Sequence, residues 1–380
     1  MHILYDHQVF SLEVMGGMTK YYTELIEGLL HHGHQVSLPI VLSNNIYLKT
    51  ILHDIFSSRS FLNSIPFKGR QNLLYWYNKY YFLRHAEQYL RGIDLVHLTL
   101  YDPYLVTILE RLHIPFVFNV YDLNHKTQQL KKGLLDIGMC DYADTGIAKL
   151  GAHAKAIICV SNQTKKDLLY YYPAIDPQKI QVIYHSIDVQ NVKYICDNQN
   201  TPLIEGKYIL FIGKRGAEYK NFLPLVESLQ GVLSDKLKLV CLGHEGFTAH
   251  ELAAFDALGI SEFAWHMGGD EAVKYNLLKF AQCFVYPSLA EGFGIPILEA
   301  WAAGCPVLAS NISVFMEIGA GACLYFDPQS KDNMKELIVG VAQSDDLQHN
   351  LRQAGLQRVK EFDKSVELEK TIALYSKIIS

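Results

Sequence analysis

The residues best placed to do chemistry lie in Pro287–Pro306, PSLAEGFGIPILEAWAAGCP, where Glu291 and Glu299 are separated by seven residues. The turn Glu291-Gly292-Phe293-Gly294 runs into an apolar helix. The first N–H groups of a helix have no partner inside it, so they and the helix dipole face any anion that docks there. This predicts a phosphate site. Glu299, about two helical turns further on, lies near the same face, and its carboxylate can accept from two sugar hydroxyls at once. The plain alternative is a strand–turn–helix unit with a solvated glutamate at each end. The flanks favour the former: CFVYPS and GCPVLAS read as short buried strands, which puts the glutamates where an open parallel sheet binds ligands.

Upstream, Phe211–Asn221 (FIGKRGAEYKN) places Arg215 and Lys220 after another buried strand. Two fixed cations at a strand's carboxyl end neutralise the charge that builds on a departing diphosphate. Gly213 and Gly216 keep the backbone close to the cleft, which a merely solvated basic loop does not need. Near the N-terminus, Met15-Gly16-Gly17-Met18 sits between the first strand and a helix with Tyr22, Leu25, Ile26, Leu29 and Leu30 on one face. Adjacent glycines let another molecule's oxygens approach the backbone, or serve the turn alone. The pattern is not G-x-G-x-x-G, so a nicotinamide cofactor is not implied. Phe118–His125 (FNVYDLNH) ends a further buried strand with Asp122 and His125, polar groups suited to sugar hydroxyls or to acceptor activation. His125 is one of 16 histidines and is singled out by position alone.

These loops need a scaffold. At 380 residues the chain exceeds what one core usually organises, so two domains are expected. Runs rich in β-formers alternate with helical patterns: HILYD, QVSLPIV, DLVHLTL, FVFNV, AIICVS and QVIYH, then YILFIG, LKLVCLG, EFAWHM, CFVYPS and CPVLAS. Such alternation means parallel sheets with right-handed crossovers. Ser186–Lys207 contains the polar, turn-prone Asp-Asn-Gln-Asn-Thr-Pro segment, and the hinge is placed there. The expected architecture is two doubly wound domains facing across a cleft, residues 1–190 and 191–364. The last helix, about Ser365–Ile379, has enough apolar positions to bury one face, with a partner the sequence leaves open.

Composition excludes several classes. A net charge of −5 argues against a nucleic-acid footprint. No apolar run reaches the length needed to span a bilayer and MHILYDH lacks a signal-peptide pattern, so a cytoplasmic protein is expected. Seven cysteines (140, 159, 196, 241, 283, 305 and 323), without paired C-x-x-C spacing, read as reduced core thiols rather than zinc ligands or disulfides. Met1–Gln190 holds 17 Lys/Arg against 16 Asp/Glu, leaving 17 against 23 for the rest. In that first half, Tyr75–Phe82 (YWYNKYYF) and Tyr170–Tyr172 suit sugar stacking or peripheral contact at a membrane's inner face, although core packing is the commoner fate of such runs.

The order Gly16-Gly17, VYDLNH, ICVSNQTKKDL, VIYHSID, FIGKRGAEYKN and VYPSLAEGFGIPILEAWAAGCPVLAS resembles glycosyltransferase family 4 over nearly the whole chain. The E-x7-E block, with the Arg/Lys loop in register before it, is the most specific part. The resemblance implies a GT-B fold, with the final helix (365–380) crossing back to the first domain. It implies a retaining, metal-independent enzyme that takes sugar from a nucleoside diphosphate sugar; no Asp-x-Asp motif is present, so no metal or other cofactor is expected. Arg215 and Lys220 match the residues that bind the donor diphosphate, and Glu291 matches the glutamate against the transferred sugar. The backbone of Phe293 and Gly294 matches the amides touching sugar and phosphate, with Gly213 and Ile295 in the same donor site, while Glu299 matches the ribose ligand. Gly17 matches an N-terminal glycine near the phosphate.

Three positions depart from the family pattern. Tyr121-Asp122 stands where many members read His-Asp, so the histidine is missing or supplied by His125. His185-Ser186 replaces Asn-Gly or His-Gly, and Phe362-Asp363 replaces a Trp. Glu317 occupies a position where many members have a Glu, with its role open. The expected activity is transfer of a hexose, first of all mannose from GDP-mannose and next from a UDP-sugar, to a glycan or lipid-linked glycan in bacterial surface polysaccharide assembly. The alternatives are a GT-B sugar-nucleotide epimerase or hydrolase, or a non-catalytic GT-B partner subunit.

Overall fold

The structure is a computed structural model that describes residues 1–50, 69–123, 126, 137–243 and 245–380. Among the described residues, twelve short strands form two six-stranded sheets. The first contains β1 (His2–Tyr5), β2 (Gln35–Ser37), β3 (Leu95–Leu98), β4 (Phe116–Val120), β5 (Ala156–Cys159) and β6 (Ile180–Val182). The second contains β7 (Tyr208–Ile212), β8 (Lys238–Leu242), β9 (Ala264–Met267), β10 (Cys283–Tyr286), β11 (Val307–Ser310) and β12 (Leu324–Phe326). Every pairing is parallel. Helices cover both faces, so central strands are mostly apolar runs, as in Tyr208-Ile209-Leu210-Phe211, which is wholly buried. The expected GT-B α/β architecture is therefore present. β12 is the strand the sequence reading lacks: three residues with a half-exposed start give neither a continuous apolar run nor an alternation.

Strand order locates the sites. The second sheet runs β12-β11-β10-β7-β8-β9 and the first β2-β1-β3-β4-β5-β6. Order reverses between β10 and β7 in one and between β1 and β3 in the other, and a crevice opens beyond the carboxyl ends at each reversal.

The chain crosses between the sheets twice, and the two crossings are bonded to each other. Ile187 N–H donates to the Phe362 carbonyl at 2.9 Å, and Lys364 N–H donates to the Ile187 carbonyl at 3.1 Å. Beyond the first crossing the proposed hinge segment is irregular only in its second part: Val189–Asp197 forms a helix capped by the Asp188 carboxylate, and turns and irregular backbone follow from Asn198 to Lys207. Val192 and Cys196 bury its inner face in the second domain's core, a tertiary contact that overrides a polar local sequence. After the second crossing, Asp363 caps the helix Lys364–Ile379. Phe362, which stands in place of the Trp, packs against Tyr184 and Trp301 with ring centroids 5.6 and 6.4 Å apart.

That final helix packs on the first sheet, with Tyr375 in the same core as Ile3, Tyr5 and Tyr22. Burial holds His97 down to about 3, so its ring is neutral. The network then has one consistent direction. His97 Nε2–H donates to Asn119 Oδ1 at 2.9 Å, and Asn119 Nδ2 donates to the Tyr21 hydroxyl at 3.0 Å. His97 Nδ1 accepts from the Tyr375 hydroxyl at 2.5 Å, and that oxygen accepts from Tyr5 at 2.9 Å. The six described cysteines are buried and free; the side chain of Cys140 lies outside the described residues. Among the described residues no helix is long and apolar enough to cross a membrane.

Tyr375→Phe removes a hydroxyl that serves two buried partners. The expected cost is about 1–3 kcal/mol, seen by calorimetry as a melting midpoint lowered by about 2–10 °C for a domain of this size. An unchanged midpoint would show that the network does not hold the helix.

Candidate active site

The loops that follow β7 and β10 meet at the second sheet's reversal. Gly213 leaves β7 at φ 143°, a conformation that favours glycine. The chain then turns through a short 3-10 helix, Glu218–Lys220, and Asn221, whose side chain donates to the Pro328 carbonyl at 2.8 Å. The Leu289 N–H donates to the Tyr219 carbonyl at 2.7 Å, locking the two loops together. Lys220 Nζ consequently donates to Glu291 Oε1 at 2.6 Å and lies 3.3 Å from the Tyr286 hydroxyl. The lysine and glutamate side chains are only 12% and 15% exposed, so this is a largely desolvated pair. Burial, with Glu291 adding its charge, pushes the Tyr219 phenol up to about 12.

Glu291 lies outside the helix. Gly294 is the N-cap at φ 117°, and the helix runs Ile295–Ala302. Helical spacing therefore relates Glu299 to Ile295, not to Glu291, because the Gly-rich turn intervenes. A Cβ on Gly294 would meet the Phe315 ring at 3.0 Å, so this glycine is required by backbone and packing alike. Phe293 is a core side chain; what it offers the cleft is its amide. The amides of Phe293, Gly294 and Ile295 head a helix with no acidic residue in its first turn. Glu299 has its own cation: Lys274 Nζ donates to its Oε1 at 2.5 Å.

Arg215 does not join Lys220 in one cationic pair. Its Nε donates to Glu251 Oε1 at 2.9 Å, and its Nη2 donates to the Glu245 and Gly246 carbonyls at 2.5 and 2.7 Å. Glu251 is already fixed, because it forms a capping box with Thr248 at the start of the helix Ala249–Leu258. The buried carboxylate and two carbonyls hold most of the guanidinium fork on the β8 side of the cleft.

On the first domain, Gly16 caps the helix Gly17–His31. A Cβ on Gly17 would meet nothing within 4 Å, so packing gives no reason for glycine there. The helix start is not bare: Glu13 Oε2 accepts from the Thr19 N–H at 3.1 Å. Asp122 stands beyond β4 directly against the opposite domain, where a Cβ on Gly292 would lie 2.9 Å from Asp122 Cβ and 2.2 Å from the Tyr121 carbonyl oxygen. His125 lies outside the described residues. The histidine that does reach this seam is His185, stacked on Tyr121 at 5.9 Å and edge-on to Phe293 at 5.4 Å.

Glu317 acquires a role. From the second domain its carboxylate accepts from the Asn162 and Gln163 N–H groups at 2.6 and 3.0 Å, capping the first domain's helix Asn162–Tyr171. Beside it the Ser161 hydroxyl donates to the Gly292 carbonyl at 3.1 Å. Lys274, Lys20, Glu271 and the cap by Glu317 escaped the sequence reading, since each depends on a partner brought close only by the fold. The helical spacings of Glu271 with Lys274 and of Lys20 with Glu24 were the local signals.

Two family models divide the chain between them: the one described as Glycosyltransferase Family 4 matches residues 15–191, and Glycosyl transferases group 1 matches residues 197–358. An O-antigen chain mannosyltransferase B of Escherichia coli is 30% identical over 233 residues, 58% of this chain and 60% of that protein. The O-antigen chain mannosyltransferase RfbU of Salmonella typhimurium is 29% identical over 196 residues, covering 50% of this chain and 52% of that protein. The match thus spans about half to three-fifths of these curated relatives. Among solved structures, a glycosyltransferase from Rickettsia africae superposes with a TM-score of 0.73 at 19% identity over 100% of this chain and 98% of that one. Anabaena Alr3699/HepE in complex with UDP and glucose gives 0.75 at 15% identity, over 99% and 100%. At those identities the likeness speaks for the fold.

Gly292→Ala drives a methyl group into the Tyr121 carbonyl and must part the domains. We expect a larger radius of gyration by small-angle scattering and a cost of about 1–3 kcal/mol from overpacking. Gly340→Ala, where a Cβ has open space, should match wild type. A Gly292→Ala profile that overlays wild type would show the contact to be dispensable.

Proposed function

Starting from a chain that belongs to glycosyltransferase family 4, we propose that it is a retaining, metal-independent hexosyltransferase using a nucleotide-sugar donor. The observation that carries this reading is the Lys220–Glu291 pair at 2.6 Å beside a helix N-terminus at the β7/β10 reversal. A desolvated cation next to free amides stabilises a leaving diphosphate more than it stabilises the intact donor. Lys220 and the Phe293 and Gly294 amides take the phosphates, with Ile295 and Gly213 shaping the site. Arg215 anchors the loop and presents its remaining Nη1 edge. Glu291 lies along the transferred sugar, Glu299 takes the ribose hydroxyls, and Gly17 lets the phosphates approach the first domain. Asp122, opposite Gly292, orients the acceptor. The bond from the anomeric carbon to phosphate breaks as the acceptor oxygen attacks from the same face, and the departing phosphate oxygen takes the acceptor's proton. The donor is GDP-mannose first and a UDP-sugar next, an order supported by relatives named as mannosyltransferases and by a neighbour holding UDP. The acceptor is a glycan or lipid-linked glycan of a bacterial surface polysaccharide.

Peripheral contact with a membrane is part of the same proposal. In the helix Arg70–Arg84, Leu73, Trp76, Tyr77, Tyr80 and Leu83 are 40–63% exposed. Helical spacing puts them on one face, and the helix carries Arg70 and Arg84 but no acid; Lys79 is turned inward onto the buried Asp102 carboxylate. Amphipathic rings among cations suit the interface of an anionic bilayer. Vesicles containing phosphatidylglycerol should co-sediment the protein, and Trp76→Ser/Tyr80→Ser should lower binding at least about fivefold. Equal binding by wild type and the double variant would contradict the role of this face.

Lys220→Ala should reduce turnover at saturating GDP-mannose by about 10²–10³-fold while the donor Michaelis constant moves only a few-fold. Wild-type turnover should survive excess EDTA and depend on acceptor. Full activity of the variant removes the leaving-group role, a loss restored by Mn²⁺ or Mg²⁺ removes metal independence, and donor turnover without acceptor favours a hydrolase or epimerase.

A further inference from the structure

Glu299 is held by a lysine that is itself part of a row of alternating charges crossing between the domains. Lys274, on the helix Glu271–Phe280, donates to Glu299 Oε1 at 2.5 Å, with side-chain exposures of 17% and 15%. One turn back on the same helix is Glu271, 4.0 Å from the same ammonium, a contact without a hydrogen bond. Glu271 is bonded instead to Lys20, in the first turns of the Gly17–His31 helix of the other domain. Burial pushes the Glu271 carboxyl up, but the Lys20 hydrogen bond and charge outweigh it and hold the group below its usual range.

An acid and a lysine three residues apart on a helix are natural partners. Left alone, Glu271 would compete with Glu299 for Lys274. Lys20 holds Glu271 from the opposite side, and Lys274 gives its hydrogen bond to Glu299 while keeping only a 4.0 Å ion contact with Glu271. A carboxylate that must accept from two neighbouring ribose hydroxyls needs its plane fixed, and one ammonium on Oε1 leaves Oε2 and a lone pair of Oε1 for the diol.

We propose that Lys274 is the positioning residue for the donor ribose, and that Lys20 keeps it directed at Glu299 by engaging Glu271 across the domain seam. This rests on the reading of Glu299 as the ribose ligand.

The test compares a ribonucleotide with its 2′-deoxy counterpart by calorimetry on the full chain, using GDP against 2′-deoxy-GDP and UDP against 2′-deoxy-UDP. A charge-assisted hydrogen bond corresponds to about tenfold preference or more for the ribonucleotide in wild type. Lys274→Gln should shrink that preference to below about threefold, Lys274→Arg should restore most of it, and Lys20→Met should lower it part way. Lys20→Met also serves as the independent probe if Lys274→Gln does not fold, because its contacts are at the surface of the seam. Glu299→Gln separates the two levels of argument. If Glu299→Gln loses the preference while Lys274→Gln and Lys20→Met keep it, the positioning role is overturned and the ribose reading stands. If Glu299→Gln keeps the preference, the ribose reading fails and this inference fails with it.

Discussion

The rest of the structure depends on how closely Gly292 approaches the backbone at Tyr121 and Asp122. A parallel sheet gathers its loops at its carboxyl edge, but one sheet's edge is only half a cleft. Gly292 has no side chain to hold the other edge away, its carbonyl accepts from Ser161, and Glu317 caps the facing helix a few residues along. The two side chains satisfy backbone groups at the seam, the Gly292 carbonyl and the Asn162 and Gln163 N–H groups. Together they set Asp122 and His185 opposite the loop that carries Glu291. The Ile187 and Phe362 crossings are hydrogen-bonded side by side, so the two passages of the chain between the domains are tied to each other.

The second theme is charge kept in pairs. Burying an ion is costly, and well-packed apolar residues often serve stability as well or better. Lys220–Glu291, Arg215–Glu251 and Lys274–Glu299 all lie near the β7/β10 crevice with side chains no more than 17% exposed. Stability alone does not call for three such pairs around one opening. Under the proposed function they have separate uses: Glu291 and Glu299 each hold a lysine at the crevice, whereas Glu251 ties Arg215 down as an anchor of its loop.

Legibility followed the range of the interaction. Strands buried on both faces announce themselves as apolar runs, and the Gly-rich turn before Ile295 is written locally, so both sheets and the central motif could be read directly. Lys274 could not be found this way, because its partner is 25 residues away and reaches it only after β10 and a helix have been laid beside β7. Arg215 misled for the same reason: it looks like Lys220's companion in sequence, while Glu251, 36 residues on, claims it in space. The Val189–Asp197 helix was hidden by a polar sequence whose two buried residues matter only against the second core.

The proposed function stands on the Lys220–Glu291 corner and the helix start beside it acting as a diphosphate site. A crystal structure with GDP or UDP bound tests it most directly. A phosphate oxygen is expected within hydrogen-bonding distance of Lys220 Nζ and of the Phe293 or Gly294 amide, with the ribose toward Glu299. A diphosphate bound elsewhere, with the Lys220–Glu291 pair untouched, would contradict it.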